Sequence, residues 1–106
     1  MADIQIPFLP QFEPVMLSGQ KTMTARTKRY GNPGDTFPAF GASFQIMSIA
    51  KIQLCDVAWE HHTEEGFPTV IDFIECWKKL HPRKGYIPKQ KVYAHTFKKL
   101  EASMNG

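Results

Sequence analysis

At 106 residues, with 42% hydrophobic and 22% charged side chains, the chain can bury one core but not two, and its composition excludes a disordered polymer. A single domain over residues 1–106 is expected, and no window approaches the roughly 20 apolar residues of a membrane span. The opening MADIQIPFLP lacks the basic start and long apolar run of a signal peptide, and Cys55 and Cys76 stand alone inside apolar stretches. A cytoplasmic protein with two buried free thiols is therefore expected, with neither a disulfide nor a metal pair.

In chain order, Ile4, Ile6 and Phe8 alternate with other residues and predict a short first strand. A helix over Gln11 to Ser18 follows, with Pro14 tolerable only in its first turn. Gly19 closes that helix, since glycine takes the left-handed conformation without steric cost. Lys21 to Thr27 reads as the second strand, favoured by β-branched Thr22 and Thr24. Asn32-Pro33-Gly34-Asp35 is a tight turn. Thr36 to Phe40 predicts a third strand, which Pro38 confines to a sheet edge.

A long strand through Phe44, Ile46, Ala50, Ile52 and Leu54 keeps one apolar face and breaks parity at Ser48, where a bulge fits. Thr69 and Asp72 form a T-x-x-D helix start, with Val70, Phe73, Ile74 and Trp77 at i, i+3, i+4 and i+7 and His81-Pro82 as the stop. Loop residues Arg83 to Pro88 lead to a last strand over Lys91 to Lys99. Strands wrapped into a small, partly open barrel with helices against it accommodate this order, an α+β fold.

Charge is unevenly distributed. From Asp56 to Glu75 there are six acids and no Lys or Arg; from Cys76 to Leu100 there are eight bases and no acid. Segment 20–30 carries Lys21, Arg26, Lys28 and Arg29 without an acid, which suits an anionic ligand. Read alone, Lys21 is a solvent-facing strand lysine, Thr22 and Thr24 are ordinary β formers, and Glu65 belongs to a solvated acidic loop.

The run MLSGQKTMTART from Met16, then NPGD, WEHHTEEGF from Trp59, VIDFIECWKKLHP and KVYAHTFKKL together resemble the ASCH domain, one of the PUA-like barrels, over roughly residues 13–100. The resemblance implies a β-barrel of about five to six strands with two or more flanking helices. Within that group a chain of this length is similar to the bacterial N4-acetylcytidine amidohydrolases. That similarity implies a catalytic lysine and threonine at Lys21 and Thr24 and a glutamate at Glu65, with Glu64 as the alternative.

Amide hydrolysis needs a nucleophile, a base, an acid for the leaving nitrogen and donors for the oxyanion. Thr24, Lys21, Glu65 and Arg26 supply those types, with either Thr24 or water as the attacking group. Thr22, Arg26, Lys28 and Arg29 are the candidate substrate or phosphate contacts. Regular strand geometry sends Lys21 and Thr24 to opposite faces, so a shared pocket requires a bend near Gly19-Gln20.

No cofactor or bound metal is expected: His61-His62 with Glu64 and Glu65 lacks an HExxH pattern. Trp59 and Trp77 read as core, and Tyr30, Phe40 and Tyr86 as stacking candidates. Two functions fit: an amidohydrolase acting on an N4-acylated cytidine or related modified pyrimidine nucleoside, or a non-catalytic RNA-binding module. The partner is a modified nucleoside or RNA, with no membrane and no sequence-specific DNA readout; the sequence leaves oligomeric state open.

Overall fold

Proline decides the first departure from expectation. Pro7 and Pro10 remove two backbone donors from the segment around Ile4 to Phe8, which makes no regular strand. In the computed structural model, which describes residues 2–101, that segment carries one parallel bridge, Asp3 to Thr36, with Ile4 N donating to Thr36 O at 2.7 Å. Residue 1 and residues 102–106, the ends of the expected domain, lie outside the described residues.

A 3-10 turn over Pro10–Phe12 runs into α1 (Glu13–Leu17), where Pro14 occupies the first turn and costs no hydrogen bond. Gly19 follows with φ 83° and its N–H on Met16 O, as a helix stop requires.

Four antiparallel strands form one curled half-barrel sheet: β1 (Met23–Arg26), β2 (Thr36–Ala39), β3 (Ala42–Gln53) and β4 (Lys91–Lys99), in the order β1-β4-β3-β2. The α+β class stands, with four strands among the described residues instead of five to six. β1 is shorter than the expected Lys21 to Thr27 span. β2 lies at an edge, where Pro38 needs no ladder donor on its open side. β2 ends one residue early because Phe40 (φ 51°) and Gly41 (φ 78°) both adopt left-handed backbone in a two-residue hairpin loop. In β3 the register against β4 shifts between Ile46 and Ser48, leaving Met47 as the extra residue of a bulge.

The stretch after β3 is a helix that the sequence reading missed: α2 (Leu54–His61). No side chain caps its start, and Leu54 ends the strand-like parity while beginning a helical stripe with Val57 and Ala58, all three buried. Trp59 on the same helix is 68% exposed, not core. The best-marked helix, α3 (Val70–Leu80), starts as expected: Thr69 Oγ1 accepts from Asp72 N at 3.1 Å and donates to Asp72 Oδ2 at 2.9 Å. It buries Phe73 and Trp77, at about 1.5–3 kcal/mol each.

Two apolar clusters result. One joins α2 and α3 to the sheet through Leu54, Val57, Phe73, Trp77 and Val92. The other lies under the N-terminal segment around Phe37, Phe44 and Phe97, whose ring centroids are 5.4–5.6 Å apart.

Candidate active site

Glycine shapes the approach to the site twice. Past Gly19, Lys21 N donates to Val15 O, and then Thr22 N and Met23 N both donate to Glu64 O, at 2.7 and 3.0 Å. Two successive amides on one carbonyl break strand parity, so Lys21 enters the interior before β1 begins. Gly66 (φ 94°) ends the turn after α2; a Cβ there would meet Val15 Cγ2 at 3.1 Å and Lys21 Cβ at 3.2 Å. With no side chain at 66, Glu65 turns inward against Lys21.

The Lys21 and Glu65 side chains are 2% and 5% exposed and pair with Nζ 3.0 Å from Oε1. Lys21 Nζ also donates to Glu65 O at 2.7 Å and to Met23 O at 2.9 Å. Three acceptors use three ammonium protons, so the resting lysine is charged. Burial pushes its pKa below the usual lysine range, against the pull of Glu65 and with a smaller push from Arg26. Glu65 Oε2 accepts from Ala25 N at 2.6 Å, which locks the carboxylate to β1. The Phe12 ring centroid lies 4.6 Å from Lys21 Nζ.

Thr24 is buried, and its Oγ1 accepts from Arg26 Nε at 2.9 Å. Arg26 also donates from Nη2 to Pro7 O at 2.6 Å and lies between the Phe8 and Tyr30 rings, 4.8 and 5.6 Å from their centroids. Among the described residues no carboxylate pairs with this guanidinium, so it leaves the site a net positive charge beside the threonine oxygen.

These groups line one cavity of about 400 Å³ at the seam of the two apolar clusters. Lys21, Thr24, Glu65 and Arg26 form its polar side, Phe8, Phe12, Phe67 and Trp77 its apolar side, and Tyr30 and exposed Lys28 lie on the flank after β1. The size and the mix of apolar wall with few polar groups are those of small-molecule sites.

Other candidates fall elsewhere. Thr22 does not line the cavity, and Arg29 braces its own turn, donating to Gly31 O and Asn32 Oδ1. Glu64 points toward His61, 3.9 Å away at the surface. Of the stacking candidates only Tyr30 borders the cavity; Phe40 packs on the phenylalanine cluster and Tyr86 on the helix cluster. Cys55 and Cys76 are free thiols, half-buried and not wholly enclosed, and Cys76 borders the cavity, where burial raises its pKa. Sequence reading passed over the aromatic walls Phe8, Phe12 and Phe67. The available signal was phenylalanines on both sides of the KTMTAR run, in segments punctuated by proline and glycine.

Comparison with protein-family models and with curated proteins gives no match to the sequence. Solved structures do match. An ASCH domain from Lactobacillus crispatus superposes with a TM-score of 0.70 at 13% identity, over 92% of this chain and 79% of that one. A protein from Pyrococcus furiosus gives 0.68 at 14% identity over 94% and 99%. An ASCH protein from Zymomonas mobilis gives 0.58 at 13% identity over 91% and 66%. The chain thus has the ASCH fold; at these identities the likeness concerns the fold alone. Among the described residues no helix is long and apolar enough to cross a membrane.

Proposed function

We propose that this protein is an amide hydrolase that removes the acyl group from an N4-acylated cytidine or a related modified pyrimidine nucleoside. The observation that supports this reading most is the convergence of Lys21, Thr24 and Glu65 on one aromatic-walled cavity. The buried ion pair stores a transferable proton, and the guanidinium beside Thr24 Oγ1 favours negative charge on that oxygen.

In the proposed reaction Thr24 Oγ1 attacks the acyl carbon as Lys21, having passed a proton to Glu65 Oε1, takes the hydroxyl proton. Apo hydrogen bonds hold Lys21 Nζ on Glu65 and Met23, so its contact to Thr24 forms with substrate in place. The carbonyl electron pair moves to oxygen, and collapse breaks the bond to N4, which takes the proton from Glu65. Water then adds to the acyl-threonine and gives a proton to Glu65. Thr24 Oγ1 leaves with a proton from Lys21, and proton return from Glu65 restores the ion pair.

Purified protein incubated with N4-acetylcytidine should release cytidine and acetate in equal amounts. Binding of the nucleoside or of RNA without release would favour the non-catalytic RNA-binding alternative.

A further inference from the structure

The proposed chemistry uses nothing from β4, yet that strand carries a fully buried imidazole, His95, directly across from Thr24. Its Nε2 lies 2.9 Å from Tyr30 N, and its Nδ1 lies 3.2 Å from Thr24 O. A backbone amide only donates and a carbonyl only accepts. Nε2 therefore carries the lone pair and Nδ1 the proton: one neutral tautomer, with both nitrogens satisfied.

The two bonds complete a circuit. Tyr30 flanks Arg26, Arg26 donates to Thr24 Oγ1, and the Thr24 carbonyl returns to His95. We propose that His95 is a positioning residue that fixes the Thr24 backbone and the Tyr30 wall of the cavity from behind, without touching substrate. Its effect on turnover rests on the amide-hydrolase reading; its hold on Tyr30 does not.

The surroundings keep the ring neutral. Arg26 faces it from β1, Arg29 and the Tyr30 ring from the following loop, and apolar Ile49 from β3. Burial lowers the imidazole pKa, with help from the two guanidinium groups and against the Thr24 and Tyr93 carbonyls. A proton on Nε2 would oppose the Tyr30 N–H with a second donor and open the circuit.

Two near-isosteric variants separate the bonds. In His95→Gln the side-chain oxygen can still accept from Tyr30 N, while the donor to Thr24 is lost; His95→Asn keeps a donor for Thr24 and loses the Tyr30 acceptor. We expect His95→Gln to lower kcat about tenfold or more with KM nearly unchanged, and His95→Asn to raise KM by a similar factor, each the effect of one lost hydrogen bond. Nitrogen-15 spectra of the wild-type ring at pH 7 should show the neutral Nδ1–H tautomer, and amide exchange at Tyr30 should accelerate selectively in His95→Asn.

An imidazolium or Nε2–H ring at pH 7 overturns the proposal. So do wild-type kinetics and Tyr30 exchange in both variants, or activity lost only in step with the melting transition. A wild-type protein with the expected ring state and Tyr30 protection that hydrolyses no N4-acylated nucleoside overturns the amide-hydrolase reading and leaves the His95 circuit standing.

Discussion

Lys21 and Glu65, 44 positions apart in sequence, form an ion pair that is almost wholly enclosed, and each is bonded to the backbone that holds the other. Lys21 Nζ bonds the carbonyl of Glu65, and Glu65 Oε2 bonds the amide of Ala25 in the strand that Lys21 leads into. The pair is thus both the proposed proton store and the clasp between the end of α2 and β1.

That dual role predicts a stability cost for breaking one partner. Lys21→Ala leaves a buried carboxylate without its cation and should destabilise the fold by about 3–5 kcal/mol. Lys21→Met combined with Glu65→Gln removes both charges at nearly constant volume and should recover much of that loss. Urea unfolding of Lys21→Ala, Lys21→Met, Glu65→Gln and the double variant measures it; losses in the double variant equal to the sum of its two singles would contradict the clasp.

Activity should separate from stability at Thr24, and at Glu65 it should fall far more than the stability cost of a half-broken pair explains. Glu65→Gln keeps an acceptor for Ala25 N and should lower turnover of N4-acetylcytidine by about 10²–10⁴-fold while remaining folded. Thr24→Ser should retain measurable turnover and Thr24→Ala should not, if the hydroxyl attacks. Equal turnover in Thr24→Ala and wild type would transfer the attack to water.

Gly66 should be less replaceable than Gly19, the other glycine that shapes the approach to Lys21. Gly66→Ala combines a positive φ with contacts to Val15 and Lys21 and should cost about 1–3 kcal/mol, with loss of activity as Lys21 shifts. Gly19→Ala has a positive φ but open space around the new methyl, and should cost only about 1–2 kcal/mol with activity kept. Paired denaturation and turnover measurements test the contrast.

Acid should weaken the fold in two windows. His95 has a folded-state pKa below its unfolded value near 6.5, so the unfolded chain binds the extra proton and stability falls as pH drops from about 6.5 toward the folded value. Asp35 accepts from Ala2 N and Asn32 N, which hold its carboxyl below the usual value of 3.8. Its contribution is present above that value and is lost as pH falls through the folded one. Stability against pH for His95→Gln and Asp35→Asn should flatten the upper and lower windows respectively.

The RNA-binding alternative predicts salt dependence. Oligonucleotide affinity should fall with a log–log slope of roughly 0.7 per phosphate neutralised, and Arg83→Ala with Lys84→Ala, both exposed and neither lining the cavity, should reduce that slope. Hydrolysis of a free nucleoside carries no such term and should be unaltered by the same pair.

Local chemistry was legible in the chain. The T-x-x-D cap, the stripe of α3, the glycine stop at 19, the edge placement around Pro38 and the bulge near Ser48 each depend on neighbours within a turn or a ladder step, so residue type alone specifies them. α2 was not legible: its first apolar residue also completes a strand alternation, and no capping side chain marks where one period gives way to the other. Trp59 reads as core in the sequence for the same reason, since hydrophobicity without a helical face says nothing of which side is covered.

The site itself was legible as a list of residues and not as an arrangement. Sequence held Lys21, Thr24, Arg26 and Glu65 in motifs, but strand parity placed the lysine and the threonine on opposite faces, and nothing local separated Glu64 from Glu65. Tertiary structure brought these side chains together when the Glu64 carbonyl captured the Thr22 and Met23 amides, which broke the parity, and when Gly66 left room for Glu65 against Lys21. Desolvation of Lys21, the tautomer of His95 and the cavity between two apolar clusters likewise arise from contacts between segments distant in sequence, because burial and charge pairing are properties of the space that surrounds a side chain.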